Sequence, residues 1–248
     1  MVTAAAAERR FYFKTSLLFY AVWILVFQTV GQSAATLPTL DLTLGLDRMI
    51  PVASVFIWPY VLCYLFPFLP VFVLKDWHRF NRAILAVILA NLAAYVVYFA
   101  VPISYARPDL GGTLSDLILR WEQDLDFQPG ANKLPSLHVA FSWIVFIVCR
   151  KQGLRRPVQF LILSGALLIS VSTLFTKQHI ILDVVFGVIW AFVAWWAAGV
   201  IYSRLAGGGR EPRAALKRMF RAVLPGAVLF LAVLFAAVDI LRRGILRW

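Results

Sequence analysis

The chain has 248 residues, of which 62% are hydrophobic and 15% charged, with a net charge of +12 and a mean hydropathy of +0.81. Soluble domains run nearer ~45–50% apolar and ~25% charged, so there is too little polar surface to cover a water-soluble globule. The lysines and arginines lie in short stretches between apolar blocks; membrane topology asks for that placement, and it removes nucleic acid as a partner.

A helix crossing the hydrocarbon needs about 20 mostly apolar residues. Seven segments qualify, near 13–32, 51–74, 83–102, 135–149, 157–176, 180–201 and 222–241. The first follows Arg9, Arg10 and Lys14, and its apolar stretch exceeds the ~7–15 residues of a signal-peptide core, so it reads as a retained anchor. Cys63 and Cys149 lie in or beside apolar blocks and set up neither a disulfide framework nor a metal site. The predicted fold is all-α: one polytopic membrane helix bundle over 1–248, with six core transmembrane helices and a seventh, C-terminal helix.

Orientation follows the lysine and arginine bias. With the N-terminus in the cytoplasm, the inner side takes Arg9, Arg10, Lys14, Lys75, Arg79, Arg82, Arg150, Lys151, Arg155 and Arg156. It also takes Arg204, Arg210, Arg213, Lys217, Arg218 and Arg221, making sixteen of the 24 basic residues. Arg242, Arg243 and Arg247 then fall outside, so the seventh segment either crosses against the bias or lies in the interface. The basic stretch 204–221 is predicted to anchor on anionic lipid. An alanine- and arginine-rich chain points to a bacterial cytoplasmic membrane.

The outer loop at 103–134 exceeds the ~12–15 residues beyond which structureless loops become uncommon. It carries Asp109, Asp116, Glu122, Asp124 and Asp126. Leu117, Ile118 and Trp121 at helical spacing predict a surface helix over Leu114–Leu125, either a substrate rim or a solvated connector.

Three histidines occur. His78, in a basic loop, reads as a solvated interfacial residue. His138 follows Pro135, whose missing N–H suits a first helical turn. His179 follows Thr176, a candidate N-cap, and Asp183 lies one turn deeper on the same face. The fourth and sixth segments both run from outside to inside, so both histidines reach the outer edge. Two helix starts with free N–H groups make an anion site there. Arg107, Lys133 and Lys177 add positive charge on the same side. A neutral His179 oriented by Asp183 could attack phosphorus, and His138 could protonate the leaving oxygen. Ser136 either donates to phosphate or caps the fourth helix. Ser172 either contributes to the phosphate site or bonds only backbone. Asp239, followed by Arg242 and Arg243, reads as a structural ion pair.

Pro135-Ser136-Leu137-His138 resembles the P-S-G-H block of the type 2 phosphatidic acid phosphatase (PAP2) superfamily. Ser172, His179 and Asp183 resemble its S-R-x5-H-x3-D block, and Arg107-Pro108 the end of its K-x6-R-P block. The resemblance implies a six-helix membrane fold with a catalytic core near 83–201. It implies His179 as nucleophile, His138 as general acid, a phosphohistidine intermediate and no cofactor. Ala100 stands where that family has lysine, Thr173 where it has arginine and Leu137 where it has glycine. Phosphate grip therefore falls to Arg107 with Lys133, Lys177, Ser136 and Ser172. The forms P-S-L-H and K-Q-H-x3-D resemble the branch containing inositol phosphorylceramide synthases.

The expected partners are the membrane and a lipid phosphate or phospholipid substrate; oligomeric state is left open. Two rivals stand beside this reading. His138, His179 and Asp183 could supply three zinc ligands, although the neighbouring cations oppose it. A transporter or an inactive family member is the non-enzymatic alternative, although no matched pair of broken helices points to transport.

Overall fold

A computed structural model describes residues 4–125, 131–150, 152–206 and 211–245. Asp126, Lys151, Arg210 and Arg247, used in the charge reading above, lie outside the described residues. The chain is an all-α membrane bundle. Its helices are α1 (Ala4–Ala34), α2 (Gly45–Met49), α3 (Ile57–Leu65), α4 (Leu69–Val73), α5 (Trp77–Ala100), α6 (Leu114–Leu125), α7 (Leu137–Cys149), α8 (Arg156–Phe175), α9 (Ile181–Ala206) and α10 (Pro212–Ile245).

Among the described residues, six stretches are long and apolar enough to cross a membrane: Ala5–Ala34, Ser54–Val73, Trp77–Ala100, Arg156–Phe175, Ile181–Ala206 and Pro212–Arg243. The stretch 54–73 is not one smooth helix. Pro67 and Pro70 remove two backbone donors, and a 3-10 turn at Phe66–Phe68 separates α3 from α4. The 13-residue α7 is apolar but shorter, at about 20 Å against a hydrocarbon thickness of about 30 Å. It lies among α5, α8 and α9, and ten of its residues are buried. That explains why it is hydrophobic all round.

Both terminal helices are longer than their apolar segments predicted. Arg9, Arg10 and Lys14 lie within α1. Pro212 opens α10, a position where its missing N–H costs nothing. The basic residues 213–221 therefore ride on the first turns of α10 instead of in a loop. Arg213 pairs with Glu8 of α1 at 2.6 Å. Asp239 pairs with Arg243 at 2.8 Å, one turn on.

At one end of the bundle, Asp76 caps α5 by accepting from the His78 and Arg79 N–H groups. Arg79 donates to the carbonyls of Ile147 and Val148 at 2.7 Å, satisfying the last turn of α7. His78 is not simply solvated: its Nδ1 lies 2.9 Å from the Tyr202 hydroxyl, joining α5 to α9. At the opposite end, Leu40 and Ser104 pair through backbone bonds at Leu40–Pro102 and Ser104–Leu40, and the Ala53 N–H donates to the Phe175 carbonyl at 3.0 Å. These ties draw the connecting segments toward the α8–α9 turn.

Helix α6 occupies the predicted Leu114–Leu125. Leu114, Leu117, Trp121 and Leu125 form its exposed stripe, while Asp116, Leu119, Glu122 and Gln123 are buried. An apolar stripe faces outward and two carboxylates, Asp116 and Glu122, face the bundle while Asp124 is exposed, as suits a helix lying at a membrane surface.

Candidate active site

The start of α7 is set by Ser136, whose backbone is extended and whose Oγ accepts from the Val139 N–H. The cap is thus Ser136, and Pro135 lies just outside the helix instead of in its first turn. The Pro135 carbonyl accepts from the Tyr98 hydroxyl at 3.0 Å. His138 follows in the first turn.

Thr176 does not cap α9 as predicted. It ends α8, where its hydroxyl donates to the Ser172 carbonyl at 2.8 Å. Lys177 takes a left-handed φ of 56°, uncommon without glycine. Its ammonium donates to the Asp47 and Ile50 carbonyls at 2.8 and 2.6 Å. Helix α9 begins only at Ile181. His179 therefore sits in the tight α8–α9 turn, where its N–H donates to the Thr173 carbonyl at 3.1 Å.

Helix α9 comes close to the start of α7 because residue 187 is glycine. A Cβ there would lie 2.7 Å from the Ser136 carbonyl oxygen and 3.0 Å from Val139 Cβ. One turn earlier, the Asp183 carbonyl accepts from the Ser136 N–H at 3.1 Å.

These local choices bring three predicted residues together. His138 Nδ1 lies 3.4 Å from His179 Nε2, and His179 Nδ1 lies 3.0 Å from Asp183 Oδ2. Asp183 is fully buried and His179 is 5% exposed. The same Oδ2 accepts from the Ile180 N–H at 3.1 Å and lies 2.7 Å from the Tyr105 hydroxyl. Tyr105 also lies 2.7 Å from the Gln178 carbonyl, so its single proton has two acceptors in reach, the carboxylate and the turn carbonyl. A buried carboxylate beside Nδ1 assigns the His179 proton to Nδ1 and leaves a lone pair on Nε2.

His138 and His179 open onto a cavity of about 500 Å³. Its lining includes the polar side chains of Lys133, Tyr60, Tyr64 and Glu122 and the aromatic rings of Trp23 and Phe27 from α1. A second cavity, of about 240 Å³, reaches the other side of His179 and is lined by Asp41, Arg48, Tyr105 and Lys177.

The remaining predicted residues separate. Lys133 is in the main cavity, its Nζ 5.8 Å from the Tyr105 ring centre. Lys177 lines the second cavity with its ammonium on two carbonyls, and desolvation pushes its pKa down. Arg107 lies 3.9 Å from Asp124 and lines neither cavity. Ser136 and Ser172 are fully buried; the first caps α7, and the second donates to the Ile169 carbonyl at 2.7 Å. Both hydroxyls are engaged with backbone groups. Among the described residues, no three histidine, cysteine, aspartate or glutamate side chains are grouped to hold a metal ion.

Sequence reading missed Tyr60, Tyr64, Tyr105 and Gly187 and gave Glu122 no chemical role. Each acts through a partner distant in sequence. Only Glu122 carried a local signal, as a carboxylate on the polar side of an amphipathic helix.

An uncharacterized protein of Methanocaldococcus jannaschii is 24% identical over 135 residues, 54% of this chain and 54% of that protein. The chain thus spans about half the length of the curated relative it matches. No solved structure matches. Residues 80–207, over half the chain and including Arg107, His138, His179 and Asp183, match the PAP2 superfamily, and the chain belongs to that family.

Proposed function

We propose that this protein transfers a phosphoryl group from a lipid phosphate or phospholipid through a phosphohistidine at His179, without a metal. The observation that carries the reading is the continuous line Asp183–His179–His138, with spacings of 3.0 and 3.4 Å. PAP2 membership independently supports phosphatase or phosphotransferase chemistry.

In the first step Nε2 of His179 attacks phosphorus, and the P–O bond to the leaving alcohol breaks. His138 gives that oxygen its proton, while Asp183 stabilises the positive charge on His179. A reacting phosphorus needs about 3–3.5 Å from the nitrogen, and a ring nitrogen already stands there. His138 must therefore turn aside toward Tyr60 when substrate binds. Lys133 offsets charge on the phosphoryl oxygens. In the second step neutral His138 takes a proton from water or an alcohol, which attacks phosphorus and frees His179. The aromatic and aliphatic side chains that α1 adds to the cavity lining suit a lipid chain. The resemblance to inositol phosphorylceramide synthases favours a lipid alcohol as acceptor.

The site is proposed to face away from the cytoplasm. A cysteine at the exposed Gly112 position should then react with an impermeant reagent added outside intact cells. The function itself is tested in lipid nanodiscs with phosphatidic acid, phosphatidylinositol and ceramide, with and without EDTA. Release of phosphate identifies a phosphatase, and a new phospholipid identifies a transferase. Turnover that stops on chelation favours a metal centre instead. Solute flux in liposomes without covalent change favours a transporter.

A further inference from the structure

The proposed chemistry needs His138 protonated, although the residues around it are mostly aromatic. Asp183 supports His179, but no carboxylate lies next to His138 in sequence. The surface helix α6 supplies one. Glu122 is 6% exposed and lines the main cavity. Its carboxylate accepts a short hydrogen bond from the Tyr64 hydroxyl. Tyr64 is in turn hydrogen-bonded to Tyr60, and the Tyr60 hydroxyl lies 3.4 Å from His138 Nε2. The Tyr64 ring also packs edge-on to His138, with centres 6.0 Å apart.

A carboxylate is acceptor-only and an imidazolium has two donors. Ending the chain on Glu122 therefore sets its direction: His138 Nε2–H to Tyr60, Tyr60 O–H to Tyr64, Tyr64 O–H to Glu122. Each bond polarises the next. The positive charge is balanced across the two tyrosines, as Asp183 balances His179 directly. The helix is fixed at its start by Asp116, whose carboxylate accepts from the Thr113 N–H and hydroxyl at 3.0 and 2.6 Å. Trp58 Nε1 donates to Ser115 Oγ at 3.1 Å and ties α6 to the second crossing.

We propose that Glu122 is a positioning residue for the general acid, acting through Tyr64 and Tyr60 to hold His138 as the imidazolium that protonates the leaving oxygen. The inference rests on the phosphotransfer reading given above. Glu122 remains a carboxylate throughout. The proton lost by His138 goes to the leaving alkoxide, and His138 regains one from the water or alcohol that attacks next.

The test compares Glu122→Gln and Tyr64→Phe with the unaltered protein on n-octyl phosphate and 4-nitrophenyl phosphate, in nanodiscs. An octyl alkoxide needs a proton as it leaves, whereas nitrophenolate does not. Both substitutions should lower kcat for the octyl ester by at least about tenfold more than for the nitrophenyl ester, a part of the ~10²–10⁴-fold that general acids contribute. The titratable groups that line the cavity with His138 are Tyr20, Tyr60, Tyr64, Glu122, Lys133 and His179, and Asp183 stands behind His179. Removing the negative charge of Glu122 from that set makes His138 a stronger acid, so the alkaline limb of kcat should move to lower pH. Equal loss on both esters, no loss on either, or an unmoved limb overturns the proposal and leaves Glu122 as a packing contact of α6. His179→Ala is run alongside. Turnover that survives it refutes the phosphohistidine reading, and this inference with it.

Discussion

Replacing Gly187 by alanine isolates the spacing between the two histidines without touching either. The added Cβ would stand 2.7 Å from the Ser136 carbonyl oxygen, which is backbone, and 3.0 Å from Val139 Cβ. Carbon pairs rest at about 3.5–4.0 Å, so α9 and the start of α7 must part by at least about 0.5 Å. Overpacking of this kind costs about 1–3 kcal/mol, offset by about 1 kcal/mol of better helix propensity. Tm should fall by only a few degrees, at about 2–4 °C per kcal/mol. Turnover should suffer more, because a 1 Å misplacement costs about 10²-fold and half of that about tenfold. The assay is release of labelled phosphate, or formation of labelled lipid, in nanodiscs well below either Tm, with Gly226→Ala as control because nothing lies near its Cβ. Full turnover in Gly187→Ala would refute the reasoning, as would a loss no larger than the unfolded fraction.

Asp183→Asn should keep the fold and lower kcat by about 10⁴-fold, by analogy with the carboxylate that orients a catalytic histidine in a triad; single-turnover kinetics would read it. Lys133→Ala removes one charge-assisted contact to phosphate, at about 1.5–3 kcal/mol, and should lower kcat/KM by about 10- to 100-fold. Ser172→Ala should cost about 1 kcal/mol of stability and leave turnover within about twofold; a tenfold loss would return Ser172 to the phosphate site. Hydrogen bonds from Ser54 and then Thr113 hold the Asp116 carboxyl below its ordinary value. Its contribution to α6 is therefore complete above the ordinary carboxylate range and is lost as pH falls through the depressed value. Hydrogen exchange at 113–117 should accelerate on acidification, and the acceleration should be absent in Asp116→Asn.

What the sequence could reveal followed the range of the interactions involved. Apolar block length located the six stretches long and apolar enough to cross, and the shorter α7 beside them, because such length is a property of consecutive residues. The amphipathic stripe placed α6 at its observed bounds for the same reason. Two helix ends were misplaced: Pro135 by one residue, just before the Ser136 cap instead of in the first turn of α7, and Thr176 by one element, ending α8 instead of starting α9. Both proline and threonine suit helix ends of either kind, and only the backbone bond from Thr176 to Ser172 shows which helix Thr176 closes. The terminal helices overran their predicted ends because charged residues can extend a helix beyond the hydrocarbon. Lys177 looked free beside His179, and the strap at 47–50 that takes its ammonium is about 130 residues away in the chain. Tyr60, Tyr64 and Tyr105 were ordinary tyrosines in sequence, and only tertiary packing brings them to the two imidazoles and the carboxylate.

The central claim is that His179 carries the phosphoryl group, and acid-free trapping tests it most directly. The protein is mixed with a phosphorus-labelled lipid substrate, quenched in alkali within one turnover, digested and mapped by mass spectrometry. The account predicts label on His179 that acid removes, that builds up further in a variant slowed at the second step, and that is absent from His179→Ala. Label on another residue, or full turnover with no labelled enzyme at any time, would contradict it.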